Sequence, residues 1–432
     1  MTAPHLMGNY APVTEELTAY ELPCTGRIPA ELTGWYLRNG PNPHAAASAH
    51  WFLGDGMVHG VRIEGGRAVS YRNRWVRTTV FTNGDRGRDE DGNRDLAAGV
   101  ANTHIIRHAG RTLALVESSY PYEMTCDLDT VGPYDFDGTL RTAMTAHPKT
   151  CPVTGELHFF GYDVVEPYLT YHRASAAGDL EISRPVEVPA ATMHHDFNLT
   201  RAHVVFMDLP VLFDLESAKT GGRMPFRWND GYQARLGVLR RDDPFGAIRW
   251  FPIDPCYVFH ALNAYDEPGR IVVQVMRYPS MWRGDSHNFE EATLWRWTID
   301  LTTGAVDERQ LDDRIAEFPR IDDRLATLDA RFGHATLASK TTGGLIRYDL
   351  HTGASTTHDF GPGRIPAEAS FAPADETPGG PGYLMSYVYD AATDRSDLII
   401  LDATDLTAEP LATIGLPRRV PFGFHGNWLP DH

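Results

Sequence analysis

Cysteine is scarce in this chain, which has 432 residues but only four cysteines. They are scattered along the sequence without any Cys-x-x-Cys spacing: Cys24, Cys126, Cys151 and Cys256. Both a disulfide scaffold and a cysteine-based zinc site need cysteines in a recognisable pattern, so the sequence argues against both. We therefore expect a protein of a reducing compartment, the cytoplasm.

Lysine is the next scarce residue type. Only three of the 39 basic residues are lysines (Lys149, Lys219 and Lys340), and the others are arginines, which leaves few candidates for Schiff-base chemistry. The formal net charge is −18 and the isoelectric point is about 5.4. This acidic balance repels the phosphates of nucleic acids and weakens a polybasic hold on anionic lipid. We therefore expect no nucleic-acid partner.

Long apolar runs and several well-known catalytic motifs are also absent. No run approaches the ~18 apolar residues of a membrane-spanning helix, and the opening MTAPHLMGNYAPVTEEL lacks the basic start and apolar segment of a signal peptide. We expect no transmembrane segment, while peripheral membrane contact and the oligomeric state stay open. Without a P-loop, HExxH, GxSxG or GxGxxG motif, phosphate transfer, metalloproteolysis, acyl transfer and dinucleotide binding lack support.

What the sequence does contain is a series of short apolar strands joined in pairs by tight turns. Residues 59–78 place Gly-Gly between two strand patterns, and residues 103–117 place Ala-Gly in the same position. Three later segments repeat one design, an apolar strand ending in Asp, a polar turn and a second strand: 293–311, 343–360 and 396–414. These patterns are typical of antiparallel hairpins.

The strand pairs recur at intervals of tens of residues with no linker between them. This favours a radial β array in a single domain, 1–432, and seven units of about 62 residues would suit propeller blades. Two stacked β-sandwiches are the alternative, but the one Pro- and Gly-rich stretch, 372–383, lies too near the C-terminus to separate domains. Helical periodicity is weak, with short helices expected around 211–220 and 321–330.

Histidine is the most informative residue type. Four of the 19 histidines lie at predicted strand ends in apolar surroundings: His147, His195, His260 and His425. The segment MHHDFNLT (193–200) contains two adjacent histidines, which the alternating faces of a strand would separate. His195 shares the apolar face with Met193, so we expect His195 to point inward and His194 to point outward.

The spacing of the four histidines is consistent with one histidine from each of four blades. The intervals from His147 to His195 and from His195 to His260 are each close to one blade length, and the interval from His260 to His425 is close to three. Four neutral imidazoles meeting on a propeller axis would suit a divalent transition metal and leave two octahedral positions open. The alternative is four core histidines that are hydrogen-bonded separately, and the spacing alone leaves both open.

Metal-bound imidazoles need acceptors for their other ring nitrogen, which fix the tautomer. Three glutamates in apolar strands could serve this purpose: Glu117, Glu317 and Glu368. The alternative for each of them is a surface or salt-bridged carboxylate.

Eight segments of the sequence, in family order from about residue 34 to 430, closely resemble the carotenoid cleavage oxygenase family. They are GWYLRNGPNP, HWFLGDGMVHGVRI, TAHPKTCPVTGEL, MHHDFNLTRAHVVFMDLP, YVFHALNAYDE, EFPRIDDR, IPAEASFAP and VPFGFHGNWLP. The resemblance implies an all-β fold, a seven-bladed β-propeller with a non-haem Fe(II) on its axis and a cap of loops and short helices over one face.

The resemblance also implies the site residues. The four iron ligands match His147, His195, His260 and His425, the ligand of the doublet being the histidine directly before Asp-Phe. The glutamates that support the ligands match Glu117, Glu317 and Glu368. Because three glutamates serve four histidines, we expect His147 to lack a carboxylate partner.

The implied reaction is cleavage of an alkene by O2 into two carbonyl products, with no catalytic acid or base beyond the metal site. The partners would then be O2 and a lipophilic or aromatic alkene. The alkene would lie in an apolar tunnel, for which the candidate wall residues are Phe52, Val116, Tyr120, Phe318 and Phe422. Each of them could equally be part of the propeller core.

The substrate itself is less defined. Stilbene-cleaving members carry a lysine directly before the first of the three glutamates, where this chain has Val116. Valine cannot pair with a phenolate, which favours a carotenoid or apocarotenoid. The short chain and residues 225–241 resemble stilbene-cleaving and other bacterial members, which keeps a stilbene or other aryl-alkene open. A non-oxidative isomerase with the same histidines and a non-catalytic interaction module are further alternatives.

Overall fold

Turn chemistry explains why this sequence forms antiparallel hairpins. Gly65 and Gly66 join two strands with φ angles of 51° and 79°, a left-handed conformation that glycine adopts without steric cost. Ala109 and Gly110 make the equivalent turn with φ angles of 48° and 77°. The hairpins predicted at both turns are confirmed. The structure, a computed structural model, describes residues 4–45, 47–84, 87, 94–220, 224–284, 286–287, 289–337 and 342–431.

Thirty-three strands occur within these described residues and are numbered here in chain order. The first nine are β1 Leu17–Tyr20, β2 Cys24–Gly26, β3 Gly34–Pro41, β4 Gly56–Glu64, β5 Arg67–Trp75, β6 His104–His108, β7 Arg111–Leu115, β8 Tyr122–Met124 and β9 Thr130–Pro133. The next fourteen are β10 Lys149–Thr150, β11 Leu157–Tyr162, β12 Leu169–Ala174, β13 Leu180–Pro185, β14 Asn198–Leu199, β15 His203–Asp208, β16 Val211–Phe213, β17 Phe226–Trp228, β18 Arg235–Arg240, β19 Arg249–Pro252, β20 Tyr257–Glu267, β21 Arg270–Tyr278, β22 Thr293–Asp300 and β23 Val306–Gln310. The last ten are β24 Ala316–Arg320, β25 Phe332–Leu337, β26 Thr342–Asp349, β27 Ser355–Pro362, β28 Arg364–Pro366, β29 Ser370–Pro373, β30 Gly382–Asp390, β31 Arg395–Asp402, β32 Ala412–Gly415 and β33 Gly426–Pro430.

Seven sheets of four or more strands contain all of these strands except the pair β16-β17. Four sheets run in strict chain order, as expected for strands joined by hairpins: β6-β7-β8-β9, β10-β11-β12-β13, β20-β21-β22-β23 and β24-β25-β26-β27. The other three have the orders β1-β5-β4-β3-β33, β14-β15-β18-β19 and β2-β32-β31-β30-β28, in the last of which β29 also pairs with β30. The predicted all-β fold, a seven-bladed β-propeller, is confirmed.

Helices are few and short in the part of the chain that the structure describes. The two α-helices are α1 Thr79–Asn83 and α2 Leu215–Thr220, with single 3-10 turns at Pro4–Leu6, Gly8–Tyr10, Trp51–Leu53 and Asp323–Leu325. The helix expected around 211–220 begins only at Leu215, because the apolar run before it pairs as β16. The helix expected around 321–330 is one 3-10 turn, and the cap over one face stays a prediction. None of the helices described is long and apolar enough to cross a membrane.

The chain divides into two compact units. The first unit comprises Met1–Asp135, His334–Asp349 and Ala354–His432, and the second comprises Phe136–Gly333 and Leu350–Gly353. Each has a core of its own. The core of the first includes Tyr36, Tyr71, Met385 and Ile400, and that of the second includes Phe160, Leu169, Tyr171 and Phe206. The assignment of 1–432 to a single domain stays a prediction.

Candidate metal centre

Three of the four predicted ligand histidines lie together in the second unit. His147 comes just before β10, His195 just before β14, and His260 lies within β20. All three are buried. One ring nitrogen from each lies within 4.8 Å of the others, and the Nε2 atoms of His147 and His195 are 3.0 Å apart. Three different sheets therefore bring their imidazoles to one point.

The separation of these nitrogens fits a metal ion. Imidazole nitrogens bind zinc at about 2.0–2.1 Å, so two such ligands at right angles are about 3 Å apart. The 3.0 Å between the Nε2 atoms of His147 and His195 matches that separation, and it is also the length of a hydrogen bond between the two rings. Imidazole is a ligand of intermediate softness that suits iron, copper, nickel and zinc. The group can therefore hold a divalent transition metal.

The ring of His260 is oriented by a carboxylate. Its Nδ1 donates to Glu317 Oε2 at 2.5 Å, which makes Nε2 the nitrogen available as a metal ligand. The hydroxyl of Tyr278 donates to Glu317 Oε1 at 2.9 Å. Burial, together with the neighbouring Glu317 carboxylate, raises the pKa of Tyr278 well above its ordinary value. The phenol therefore keeps its proton and fixes the carboxylate from behind.

Thr145 connects the segments of two predicted ligand histidines. Its hydroxyl donates to the backbone carbonyl of His195 and accepts from the backbone N–H of His147, both at 3.1 Å. Thr145 is fully buried. Thr145 is not among the residues predicted from the sequence. Its position two places before His147 was visible, but the carbonyl of His195 belongs to a distant segment of the chain, and nothing local indicates that contact.

The two adjacent histidines have different environments. His195 joins His147 and His260, whereas the Nε2 of His194 lies 2.7 Å from the hydroxyl of Thr192. Thr192 in turn donates to the buried Asp208 at 3.2 Å. Burial lowers the pKa of His194. His194 is not part of the group of three histidines, and its ring lies in a buried polar network rather than in solvent.

The fourth predicted ligand lies in the first unit, where it has a carboxylate partner of its own. His425 Nδ1 donates to Glu368 Oε1 at 2.9 Å, and the backbone N–H of Gly426 donates to Glu368 Oε2 at 2.9 Å. Both His425 and Glu368 are buried. Glu117, also in the first unit, is half-buried and follows β7. The ligand role of His425, the roles of the glutamates and the lack of a carboxylate for His147 stay predictions.

Aromatic rings pack directly against the predicted ligand histidines of the second unit. Phe318, a predicted tunnel residue, stacks on His260 with ring centroids 5.4 Å apart. Phe259 meets His195 edge to face at 5.0 Å and also contacts Trp282 at 5.9 Å. Phe259 is not among the residues predicted from the sequence, although its place directly before His260 could have indicated it.

The other predicted tunnel residues lie in the first unit. Phe422 stacks on Trp51 at 5.6 Å, and Phe52 packs edge to face against Phe424 at 5.5 Å. Val116 is buried and Tyr120 is half-buried. The rings of Trp51, Phe52, Phe422 and Phe424 form one aromatic cluster. The role of the predicted residues as a tunnel wall stays a prediction.

Comparisons with known proteins agree with the fold and with the resemblance seen in the sequence. The family model described as retinal pigment epithelial membrane protein (RPE65) matches residues 10–430. The "Carotenoid cleavage oxygenase" of Mycobacterium tuberculosis is 40% identical over 99% of this chain and 97% of its own length. The "Carotenoid 9,10(9',10')-cleavage dioxygenase" of Crocus sativus is 34% identical over 98% of this chain and 88% of its own. The solved structure of a Pseudomonas brassicacearum lignostilbene dioxygenase has a TM-score of 0.88 at 30% identity, with 99% of both chains covered.

These matches span nearly the whole chain and nearly the whole length of the M. tuberculosis relative. They confirm the resemblance seen in the eight sequence segments and the predicted class of oxidoreductase. The chain therefore belongs to the carotenoid cleavage oxygenase family, whose dioxygenases incorporate O2 into a cleaved double bond.

Proposed function

We propose that this chain is a non-haem Fe(II)-dependent dioxygenase that cleaves a C=C bond of a carotenoid- or apocarotenoid-like polyene into two carbonyl products. The observation that carries the proposal is the buried group of His147, His195 and His260, whose ring nitrogens lie at ligand distances. Family membership supplies the reaction class, and the names of the M. tuberculosis and crocus relatives supply the substrate class.

Iron would be held by neutral imidazoles only. His147, His195 and His260 would bind through ring nitrogens, and we propose His425 as a fourth ligand because Glu368 engages its Nδ1 as Glu317 engages that of His260. Glu117 is proposed as a third supporting carboxylate. Bound Fe(II) would supply the activation of O2 at an open coordination position.

The protein's own residues would position the alkene and keep water away. Phe259 lies against the ring of His195, and Phe318 lies against the ring of His260. Both offer flat apolar surface beside His147, His195 and His260, which form the proposed metal group. Burial of apolar surface stabilises binding by roughly 25 cal/mol per Å², and aromatic rings pack well on a conjugated chain. Tyr278 stays protonated and donates to Glu317, so it does not act as a base.

Val116 supports a polyene over a phenol. It is buried directly before Glu117 and carries no polar atom that could receive a phenolic oxygen. A stilbene or related aryl-alkene is the second candidate, because the lignostilbene dioxygenase matches this chain at 30% identity with a TM-score of 0.88.

The test is product analysis of the iron-loaded protein. The purified chain is reconstituted with Fe(II) without oxygen, then exposed to ¹⁸O2 with a β-apocarotenal, a hydroxystilbene or a vinyl phenol. We expect two carbonyl products from the β-apocarotenal, each labelled with ¹⁸O, and little product from the phenols. His195→Ala, treated in parallel, should form no product.

The alternative outcomes are distinguishable. Preferential cleavage of the hydroxystilbene would replace the polyene with an aryl-alkene. An isomerised substrate without ¹⁸O would identify a non-oxidative isomerase. A folded protein that binds no Fe(II) and leaves every substrate unchanged would contradict the proposed function and favour an interaction module.

A further inference from the structure

The carboxylate of Asp196 connects three segments of the second unit. Its Oδ1 lies 2.8 Å from the Nζ of Lys149 and accepts from the backbone N–H of Phe197 at 2.7 Å. Its Oδ2 accepts from the backbone N–H of Ala261 at 2.8 Å. Lys149 and the N–H of Phe197 hold Oδ1, and the N–H of Ala261 holds Oδ2. Both oxygens of the carboxylate are therefore fixed.

Each of these segments carries a histidine of the metal group. Lys149 lies two places after His147, while Asp196 directly follows His195 and Ala261 directly follows His260. One carboxylate therefore links the segments that carry all three histidines. Because side chains follow their backbones, these links limit how far the three imidazoles can move apart.

The contact between Asp196 and Lys149 is an ion pair with one buried member. The Asp196 side chain is 1% exposed and the Lys149 side chain is 26% exposed. Removing one partner of a buried pair leaves an uncompensated charge, which is strongly unfavourable. Such pairs add little net stability compared with apolar residues, so the pair is better explained by the geometry that it imposes.

A lysine, rather than an arginine, fits the arrangement around Asp196. Lys149 is one of only three lysines in a chain whose other basic residues are arginines. A lysine ammonium is a compact point charge that can approach one oxygen, whereas an arginine fork tends to engage both oxygens of a carboxylate. The lysine therefore leaves Oδ2 to the N–H of Ala261, next to His260.

We propose that Asp196 is a positioning residue of the metal group, and that its carboxylate, with Lys149 and the Ala261 N–H, sets the separation of His147, His195 and His260. The proposal rests on the proposed function, because it requires that these histidines bind a metal. Asp196 acts through the backbones that carry the ligands, which its hydrogen bonds and its ion pair hold together.

Asp266 provides a matched control. It lies on β20, as His260 does, and its carboxylate accepts from the Ala202 N–H at 2.9 Å, the Thr200 hydroxyl at 3.0 Å and His203 Nδ1 at 2.7 Å. Asp266 therefore also links β20 to the chain around β14 and β15, but its partners lie farther from the three histidines along the chain.

The experiment measures metal affinity without turnover. Metal-free wild type, Asp196→Asn, Asp266→Asn and Lys149→Met are titrated with Co(II) against a competing chelator, and the visible absorption of bound Co(II) is recorded. We expect Asp196→Asn to bind Co(II) about 10–100-fold more weakly with a changed spectrum, the scale of losses for groups behind metal ligands. Asp266→Asn should keep the wild-type affinity within about threefold and the wild-type spectrum.

The Co(II) affinities of the variants test the positioning role of Asp196. Wild-type Co(II) affinity in Asp196→Asn, or equal losses in Asp196→Asn and Asp266→Asn, would overturn the positioning role. If Asp196→Asn does not fold, Lys149→Met replaces it, and unchanged affinity and spectrum there would also overturn the role. Failure of the wild type itself to bind Co(II) would instead contradict the proposed function.

Discussion

At the scale of single residues, one position decides between a metal ligand and a structural histidine. His195 lies 3.0 Å from His147 through ring nitrogens, whereas His194 contacts Thr192. We expect His195→Ala to abolish Fe(II) binding and His194→Ala to keep most of the metal while it lowers the melting temperature, because it leaves a buried polar network incomplete. Metal analysis of the two purified variants, with circular dichroism to confirm folding, checks this. Equal loss of iron from two folded variants would contradict the assignment.

A second prediction at this scale concerns the carboxylate behind His260. Glu317→Gln removes the charge that holds the His260 ring and should weaken Fe(II) retention about 10–100-fold. Glu308 is the control, since it is also half-buried and accepts from a backbone N–H, that of Asp254, at 2.7 Å. Glu308→Gln should retain iron like the wild type. Dialysis against a chelator measures both, and equal retention would argue against the role of Glu317.

At the scale of elements, the hairpins were predictable and the contacts between distant segments were not. Gly65-Gly66 and Ala109-Gly110 encode their turns locally, so the strands around them followed from the sequence. Valine, leucine and phenylalanine at 211–213 pair as a strand where a helix was expected, because pairing with β17, on the far side of α2, overrides local preference. Thr145 and Asp196 could not be predicted from the sequence either, because their partners include groups on distant segments of the chain.

The backbone of β3 at Gly40 lies very close to the backbone at Gly423, in the segment before β33. A Cβ on Gly423 would lie 2.8 Å from the Cα of Gly40, and a Cβ on Gly40 would lie equally close to Gly423. Since backbone cannot easily yield, Gly423→Ala should destabilise the protein by roughly 1–3 kcal/mol. Gly284→Ala, which adds a methyl group where the described residues place no atom within 4 Å apart from the chain neighbours of Gly284, should change stability by less than about 0.5 kcal/mol. Thermal unfolding of both variants measures the difference, and similar melting temperatures would contradict the prediction.

At the scale of the whole molecule, the two ends of the sequence meet in ways that no local pattern contains. β33 pairs with β3 from Gly34↔Pro430 to Arg38↔Gly426, and β2 pairs with β32. The number of blades and the ligand set followed from family resemblance, because strand periodicity alone also allowed sandwiches. Pairing between strands from opposite ends of the chain is set by the closure of the fold as a whole, and for that reason only a family comparison or a structure can reveal it.

Buried neutral histidines make the stability of the whole chain depend on pH. Burial lowers the pKa of His172 to about 4 and that of His158 to about 3, and it lowers the pKa of His59 well below 6.5. An unfolded histidine titrates near 6.5, so the unfolded chain binds more protons between the two pKa values. The contribution of each buried histidine to the free energy of unfolding is therefore fully present above about pH 6.5. It is lost as the pH falls towards the pKa of that histidine in the folded protein. For His172 the loss between pH 7 and pH 5 is about 2 kcal/mol.

The test uses metal-free protein, so that protonation of metal ligands does not contribute. His172 lies between the hydroxyls of Thr142 and Ser183, at 2.8 and 2.9 Å, and a glutamine there offers a donor and an acceptor without a titrating group. We expect the melting temperature of His172→Gln to fall less between pH 7 and pH 5 than that of the wild type. His351→Gln, at an exposed position, should follow the wild type. An identical fall in all three proteins would show that protonation of His172 does not drive acid unfolding.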